Sequence, residues 1–128
     1  MKEWTDDEYL LYVNAREGSC LWEILADRTQ SEDEKLWEEY TPVFSRLIVR
    51  WQRAGFLKVR RGPEWPAAYV GDDVPTDQIA ALVQDPASWK YEEEPTIFIA
   101  VTVGDRPITD LEEDIGESPW TSQPDQRS

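Results

Sequence analysis

The first third of the chain places apolar residues at helical spacing between residues that start and stop helices. A first helix is predicted from Thr5 to Gly18, because residues 5–8 (Thr-Asp-Asp-Glu) match a capping box and glycine is a typical helix stop. A second short helix is predicted from Ser19, as the cap, to about Arg28. The expected buried faces are Tyr9, Leu10, Tyr12 and Val13 in the first helix and Leu21, Ile24 and Leu25 in the second.

Two further helices are predicted before residue 56. Residues 31–34 (Ser-Glu-Asp-Glu) form a second capping box and predict a brief acidic helix up to Tyr40. Thr41 is then expected to cap a helix from Pro42 to Ala54, since proline is tolerated at the first helical position and Gly55 suits a left-handed end. At 100° per residue this helix has two opposite faces. The inward stripe is Phe44, Leu47, Ile48 and Trp51, and the outward side is Arg46, Arg50 and Arg53.

The second half of the chain predicts strands and one more helix. Residues 56–61 predict a basic strand, which turns at Gly62-Pro63 and returns near Ala68–Val70 as a hairpin. A helix is predicted from Pro75 to Asp85-Pro86, with Trp89 packed back on it. The apolar, β-branched run Thr96–Val103 predicts a strand that is covered on both faces or central in a sheet.

These elements predict an α/β (α+β) fold with three to four N-terminal helices, a hairpin, and an added helix and strand. Residues 1–109 are expected to form one domain, since 128 residues with 40% hydrophobic content can build a single core. Residues 110–128 are acidic and contain few apolar side chains, so a flexible tail that is disordered when alone is expected there. Among the seven tryptophans, Trp22, Trp37, Trp51 and Trp89 are expected in the core.

Charge is strongly segregated along the chain. Residues 41–62 contain six basic residues and no acidic one, whereas the remainder contains 27 acidic and seven basic residues, and the net charge is −14. This acidity opposes unaided binding to DNA and to anionic lipid, because a polyanion repels the molecule as a whole. The single cysteine, Cys20, excludes an internal disulfide. With neither a secretory signal nor an apolar run long enough to cross a bilayer, we expect a cytoplasmic protein with no membrane association.

The sequence lacks the residues that several kinds of catalytic, metal-binding and nucleotide-binding site require. The absence of histidine excludes the Ser-His and Cys-His nucleophile arrangements and the commonest zinc sites. The six glycines are too dispersed for a phosphate-binding loop or a dinucleotide fingerprint. No pair stands out among the 27 acidic residues as a general acid and base. We therefore predict a non-enzyme with no cofactor and no metal.

The order of helix, helix, helix and basic hairpin over residues 5–70 resembles a winged helix-turn-helix protein. Residues 41–61 (TPVFSRLIVRWQRAGFLKVRR) are similar to that family's recognition helix and first wing strand. The resemblance implies a DNA-binding role in which the third helix enters the major groove and the wing contacts the backbone. The groove-reading residues would be Arg46, Arg50 and Arg53, and the backbone contacts would be Lys58, Arg60 and Arg61. The half after Gly71 loosely resembles small bacterial immunity proteins that neutralise a toxin.

Two functional hypotheses follow. The first is an acidic immunity-type or antitoxin-type inhibitor that occludes a basic protein, because a negative field accelerates association with a cationic partner. The second is a winged-helix transcription regulator. For the arginine face, contact with DNA, contact with protein and pairing with the chain's own acids all remain open. The inhibitor hypothesis assigns partner binding to Glu32, Asp33, Glu34, Glu38 and Glu39, with Trp65 as an exposed anchor.

Overall fold

The computed structural model describes residues 4–107 as five α-helices and a small antiparallel sheet. The helices are α1 (Asp6–Glu17), α2 (Leu21–Thr29), α3 (Glu34–Ala54), α4 (Ala67–Val70) and α5 (Thr76–Gln84), followed by a 3₁₀ helix (Pro86–Trp89). The strands β1 (Leu57–Gly62), β2 (Asp72–Asp73) and β3 (Phe98–Val103) lie in the order β2-β1-β3. The predicted α+β class is confirmed. The predicted acidic tail, residues 110–128, lies outside the described residues.

Helix α1 begins and ends where the sequence predicts. The Thr5 hydroxyl accepts the Glu8 N–H at 3.1 Å, and the Glu8 carboxylate accepts the Thr5 N–H at 3.0 Å, which completes the capping box. The helix is followed by Gly18, which adopts φ +72°. Its buried face is shifted from the prediction, because Leu11 and Ala15 are buried and Tyr9 is 60% exposed, although the predicted Leu10 and Tyr12 do pack partly against the core. The one-position rotation brings Leu11 and Ala15, four residues apart, into the core on one side of the helix.

The predicted break at Thr41-Pro42 is wrong, because α3 runs without interruption from Glu34 to Ala54. Its cap is Asp33, whose carboxylate accepts the Lys35 N–H at 3.0 Å, rather than Ser31. The Thr41 hydroxyl donates to the Trp37 carbonyl within the helix and caps nothing. Proline removes one helical N–H, yet the helix continues because buried residues on both sides of it, Trp37 and Phe44, anchor it to one core.

The two faces of the sheet are covered by different elements. Val59 of β1 lies opposite Val101 of β3, while Arg60 lies opposite Ala100, and residues paired in this way share a face of the sheet. Val59 and Val101 belong to the main hydrophobic core with α1, α2 and α3. Ala100 belongs instead to a small cluster with the two alanines of α4. We call these the helical face and the α4 face.

The return strand of the hairpin lies later than predicted. The residues Ala68–Val70, expected to be extended, lie in helix α4, because the Tyr69 and Val70 N–H groups donate to the Pro66 carbonyl and close a helical turn. The antiparallel partner of β1 on this side is β2, with Asp73 opposite Arg60. Strand β3 pairs with the full length of β1 on the other side.

The centre of β3 is covered on both faces, as predicted. Ala100 and Val101 point to opposite faces, and both are fully buried. The strand is not central in the sheet, but its outer edge meets the chain before α2, where the Val101 N–H donates to the Ser19 carbonyl at 2.9 Å. Three of the four predicted core tryptophans are buried and Trp22 is partly buried against the same core.

Candidate protein-binding site

The acidic residues of the inhibitor hypothesis lie together at the start of α3. Glu32 and Asp33 precede the helix, Glu34, Glu38 and Glu39 occupy its first two turns, and all five are exposed. Carboxylates are favoured here by the positive end of the helix dipole, and Asp33 also caps the helix. Within residues 4–107 none of the five forms an ion pair. Their charge is therefore directed to solvent.

Two of these carboxylates stand at the mouth of an apolar cleft of about 330 Å³ between α2, α3 and the 3₁₀ helix. We call it the acidic cleft. Its lining combines Leu25, Trp37, Pro42, Pro86 and Trp89 with Glu34, Glu38, Thr41, Gln84 and Lys90. Two carboxylates against one lysine leave its mouth negative.

The tryptophan walls of the acidic cleft are fixed by hydrogen bonds. The Trp37 indole N–H donates to the Ser31 carbonyl at 2.8 Å, and the Trp89 indole N–H donates to the Val83 carbonyl at 2.7 Å. Trp22 stacks on Trp37 with ring centroids 6.4 Å apart. Both indole donors are satisfied within the protein, and Trp37 and Trp89 are only 5% and 3% exposed, so they present a narrow and apolar surface in the cleft.

Trp65, predicted to act with the acidic residues, lies elsewhere. It belongs to the connection between β1 and β2, is 57% exposed, and lies 5.8 Å from the Phe98 ring. Phe98 packs with the cluster on the α4 face, whereas α3 packs on the helical face. The structure therefore does not bring Trp65 together with the acidic cleft. Tyr69 and Val70 of α4 are also exposed.

The three arginines predicted on the outer side of α3 share one groove. Arg46, Arg50 and Arg53 line an open groove of about 700 Å³ between α3 and α5, with Thr41, Pro42, Ser45, Val49, Ala80 and Gln84. We call it the arginine groove. Among residues 4–107, none of those that line it is a carboxylate. It adjoins the acidic cleft, because Thr41, Pro42 and Gln84 line both.

The basic residues of β1 do not extend the arginine groove. Lys58 and Arg60 project from the α4 face, opposite to the face on which α3 packs, whereas Arg61 projects from the helical face. Lys58 pairs with Asp105 at 3.2 Å. Arg60 pairs with Asp73 at 3.1 Å and also donates to the Ala68 carbonyl. The six basic residues therefore lie in three places: three line the arginine groove, Lys58 and Arg60 are paired with acids on the α4 face, and Arg61 lies on the helical face.

Cys20 is a buried thiol at the start of α2. Burial raises its pKa to about 12, with the Glu23 carboxylate as a smaller cause, so the group remains protonated at neutral pH. Residues 4–107 contain no group of three or more acidic or cysteine side chains arranged to hold a metal ion. In the same range no helix has the length and apolar composition that crossing a bilayer requires.

Sequence reasoning found the acidic residues but missed the cleft behind them. Trp37 and Trp89 are 52 positions apart in the chain and were each expected to be buried core. Only the packing of the 3₁₀ helix beside α2 and α5 brings them together. The one local signal was the pair Asp85-Pro86, which begins the 3₁₀ helix.

Comparison with known proteins gives no relative for this chain. No protein-family model matches it, and no curated protein or solved structure matches it either.

Proposed function

We propose that this chain is a non-catalytic acidic binding protein, of the immunity or antitoxin type, that binds and occludes a basic protein. The observation that carries the proposal is the acidic cleft, where an apolar lining lies directly behind Glu34 and Glu38. A net charge of −14 adds a long-range attraction for a cationic partner.

The acidic cleft suits a lysine or arginine side chain of the partner. Such side chains bury an apolar stem and keep a charged head at the surface. In the cleft the stem would lie along the exposed Pro42 and Pro86, above the buried tryptophans, while the head pairs with Glu34 or Glu38. Rigid walls favour tight binding, since little side-chain entropy is lost. Glu32 and Glu39 lie outside the lining and would contribute mainly to the rate of encounter.

The test is a comparison of two double charge reversals against a partner captured from the protein's own cells and then purified. Glu34→Lys/Glu38→Lys changes the acidic cleft, and Glu92→Lys/Glu93→Lys makes the same change in net charge in an exposed loop outside it. We expect the cleft variant to raise Kd at least about tenfold, or 1.4 kcal/mol, chiefly through faster dissociation. The loop variant should change only the association rate. Equal losses in both variants would show that overall charge, not the cleft, governs binding.

A winged-helix DNA-binding regulator is the second candidate. It is favoured by the arginine groove, because Arg46, Arg50 and Arg53 lie on the helix that the resemblance assigns to the major groove. It is opposed by Lys58 and Arg60, which project away from that helix and pair with acids of the chain.

Titration with random duplex DNA at low and moderate salt separates the two candidates. A regulator should bind with an affinity that falls steeply with salt, and Arg50→Glu should abolish that binding. The inhibitor should bind no DNA even at low salt, and Arg50→Glu should leave capture of its protein partner intact.

A further inference from the structure

Three oxygen-bearing side chains line the acidic cleft along α3. Glu34, Glu38 and Thr41 stand at positions i, i+4 and i+7 of the helix, which places them in one row on the same side. The Thr41 hydroxyl donates its hydrogen to the Trp37 carbonyl at 3.1 Å, so its oxygen is left as an acceptor. The row therefore offers acceptors to a ligand, with one carboxylate in each of two successive turns.

Lys90 is the one cation among the described residues that line the acidic cleft. Within residues 4–107 it forms no ion pair, and neither Glu34 nor Glu38 forms one. Gln84, at the end of α5, adds an amide oxygen as a further acceptor. A cationic head that enters the cleft therefore meets two carboxylates and two neutral acceptors.

The size of the acidic cleft suits a single side chain of a partner. Its volume of about 330 Å³ lies near the lower end of the range for ligand pockets, which is about 300–1,000 Å³. Pro42 and Pro86 are exposed beside the narrow apolar surface of Trp37 and Trp89. An apolar stem can therefore lie over this surface while its charged end reaches the two carboxylates.

Arginine and lysine differ in how they use two neighbouring carboxylates. Residues four apart in a helix have Cβ atoms about 5–6 Å apart, so Glu34 and Glu38 can flank one cation. A guanidinium is planar and carries five N–H donors in a rigid fork, so its separate edges can pair with separate carboxylates and a remaining N–H can reach the Thr41 oxygen. An ammonium is a compact charge with three donors, and its stronger hydration makes entry into an apolar cleft more costly.

We propose that the acidic cleft selects arginine over lysine, with one guanidinium bridging Glu34 and Glu38. The proposal rests on the proposed function, because it takes the cleft to be the site that receives a basic partner. It adds the residue type that the partner presents there. The cleft, and not acidity alone, carries the proposal, since Glu39 is also exposed on α3 but lies outside the lining.

The test titrates the full chain with N-acetyl-arginine methylamide and, separately, with N-acetyl-lysine methylamide. The ¹H–¹⁵N signals of the Trp37 and Trp89 indoles report binding. We expect the arginine compound to bind about three- to tenfold more tightly, because it forms additional charge-assisted hydrogen bonds. Equal affinities would overturn the selectivity for arginine and would leave the proposed function standing. Failure of both compounds to bind would overturn the cleft as a site for a cationic side chain, and the proposed function with it.

Three single neutralisations show whether both carboxylates take part. Glu34→Gln and Glu38→Gln each leave one carboxylate in the cleft, so each should reduce the preference for the arginine compound to about twofold or less. Glu39→Gln makes the same change in charge outside the lining and should keep the wild-type preference. A preference that survives both cleft variants, or that falls equally in all three variants, would refute a bridging guanidinium.

Discussion

The carbonyl oxygen of Val83 accepts two side-chain donors, and this arrangement positions one wall of the acidic cleft. The Ser45 hydroxyl of α3 donates to it at 2.6 Å, and the Trp89 indole N–H donates to it at 2.7 Å. All three residues are buried. One acceptor near the end of α5 thereby connects α3, α5 and the 3₁₀ helix.

The expected losses in the free energy of unfolding follow from how many side-chain donors still bond to the Val83 carbonyl oxygen. Ser45→Ala removes one hydrogen bond while the Trp89 indole still satisfies the oxygen, so we expect a loss of about 1 kcal/mol. Trp89→Phe removes the other bond and part of the ring, for a loss of about 2 kcal/mol. The double variant leaves the buried oxygen without either side-chain donor, which adds a desolvation cost of roughly 1–2 kcal/mol. The double variant should therefore lose about 4–5 kcal/mol, more than the sum of the single losses.

Urea unfolding followed by far-UV circular dichroism measures all four proteins without relying on tryptophan fluorescence. Ser88→Ala, at a half-buried position next to Trp89 whose hydroxyl forms no hydrogen bond within residues 4–107, serves as the control. It should change the free energy of unfolding by less than about 0.5 kcal/mol. Strictly additive single losses would refute the reasoning, since the two donors would then not share one acceptor.

Three other outcomes are expected. Pro42→Ala should raise the free energy of unfolding in urea by about 1–2 kcal/mol, because it restores a backbone N–H inside α3. A neutral or destabilising effect would contradict a continuous α3. Gly18→Ala should lower the free energy of unfolding by roughly 1–3 kcal/mol, since the φ of Gly18 is +72° and the new Cβ would lie 2.7 Å from the Ala68 Cβ. The control variant Glu17→Ala should have little effect. Burial raises the pKa of the Cys20 thiol from an ordinary 9.0 to about 12, so its contribution to the free energy of unfolding is complete below pH 9 and is lost between pH 9 and 12. Over that interval Cys20→Ala should lose less stability than the wild type in urea unfolding. Equal losses in the two proteins would argue against the buried thiol.

Short-range signals in the sequence predicted several helix ends correctly. The capping box at Thr5, the glycine after α1 and the start of α5 were all predicted from neighbouring residues. The prediction was wrong at Pro42, because a helix-start signal competed with packing: Trp37 and Phe44 hold the helix continuous across the proline. No local rule weighs these two effects against each other.

The sequence predicted the acidic residues of the candidate site but not its apolar lining, for a related physical reason. Carboxylates at the start of a helix are visible in the sequence, because exposure and the helix dipole both favour them there. The apolar surface behind them depends on Trp89, which reaches α2 and α3 only after the 3₁₀ helix has packed. For Trp65 the exposed position was predicted correctly, but its separation from the acidic residues was not.

The basic residues of segment 41–62 do not form one surface in three dimensions. As a sequence it is one block of six positive charges. The turn at Gly55 separates α3 from β1, and the alternation of β1 then sends Lys58 and Arg60 to the face that α3 does not cover. There they meet Asp105 and Asp73, so those charges serve intramolecular pairing. Arg46, Arg50 and Arg53 are left together in the arginine groove, apart from the exposed carboxylates of Glu34 and Glu38.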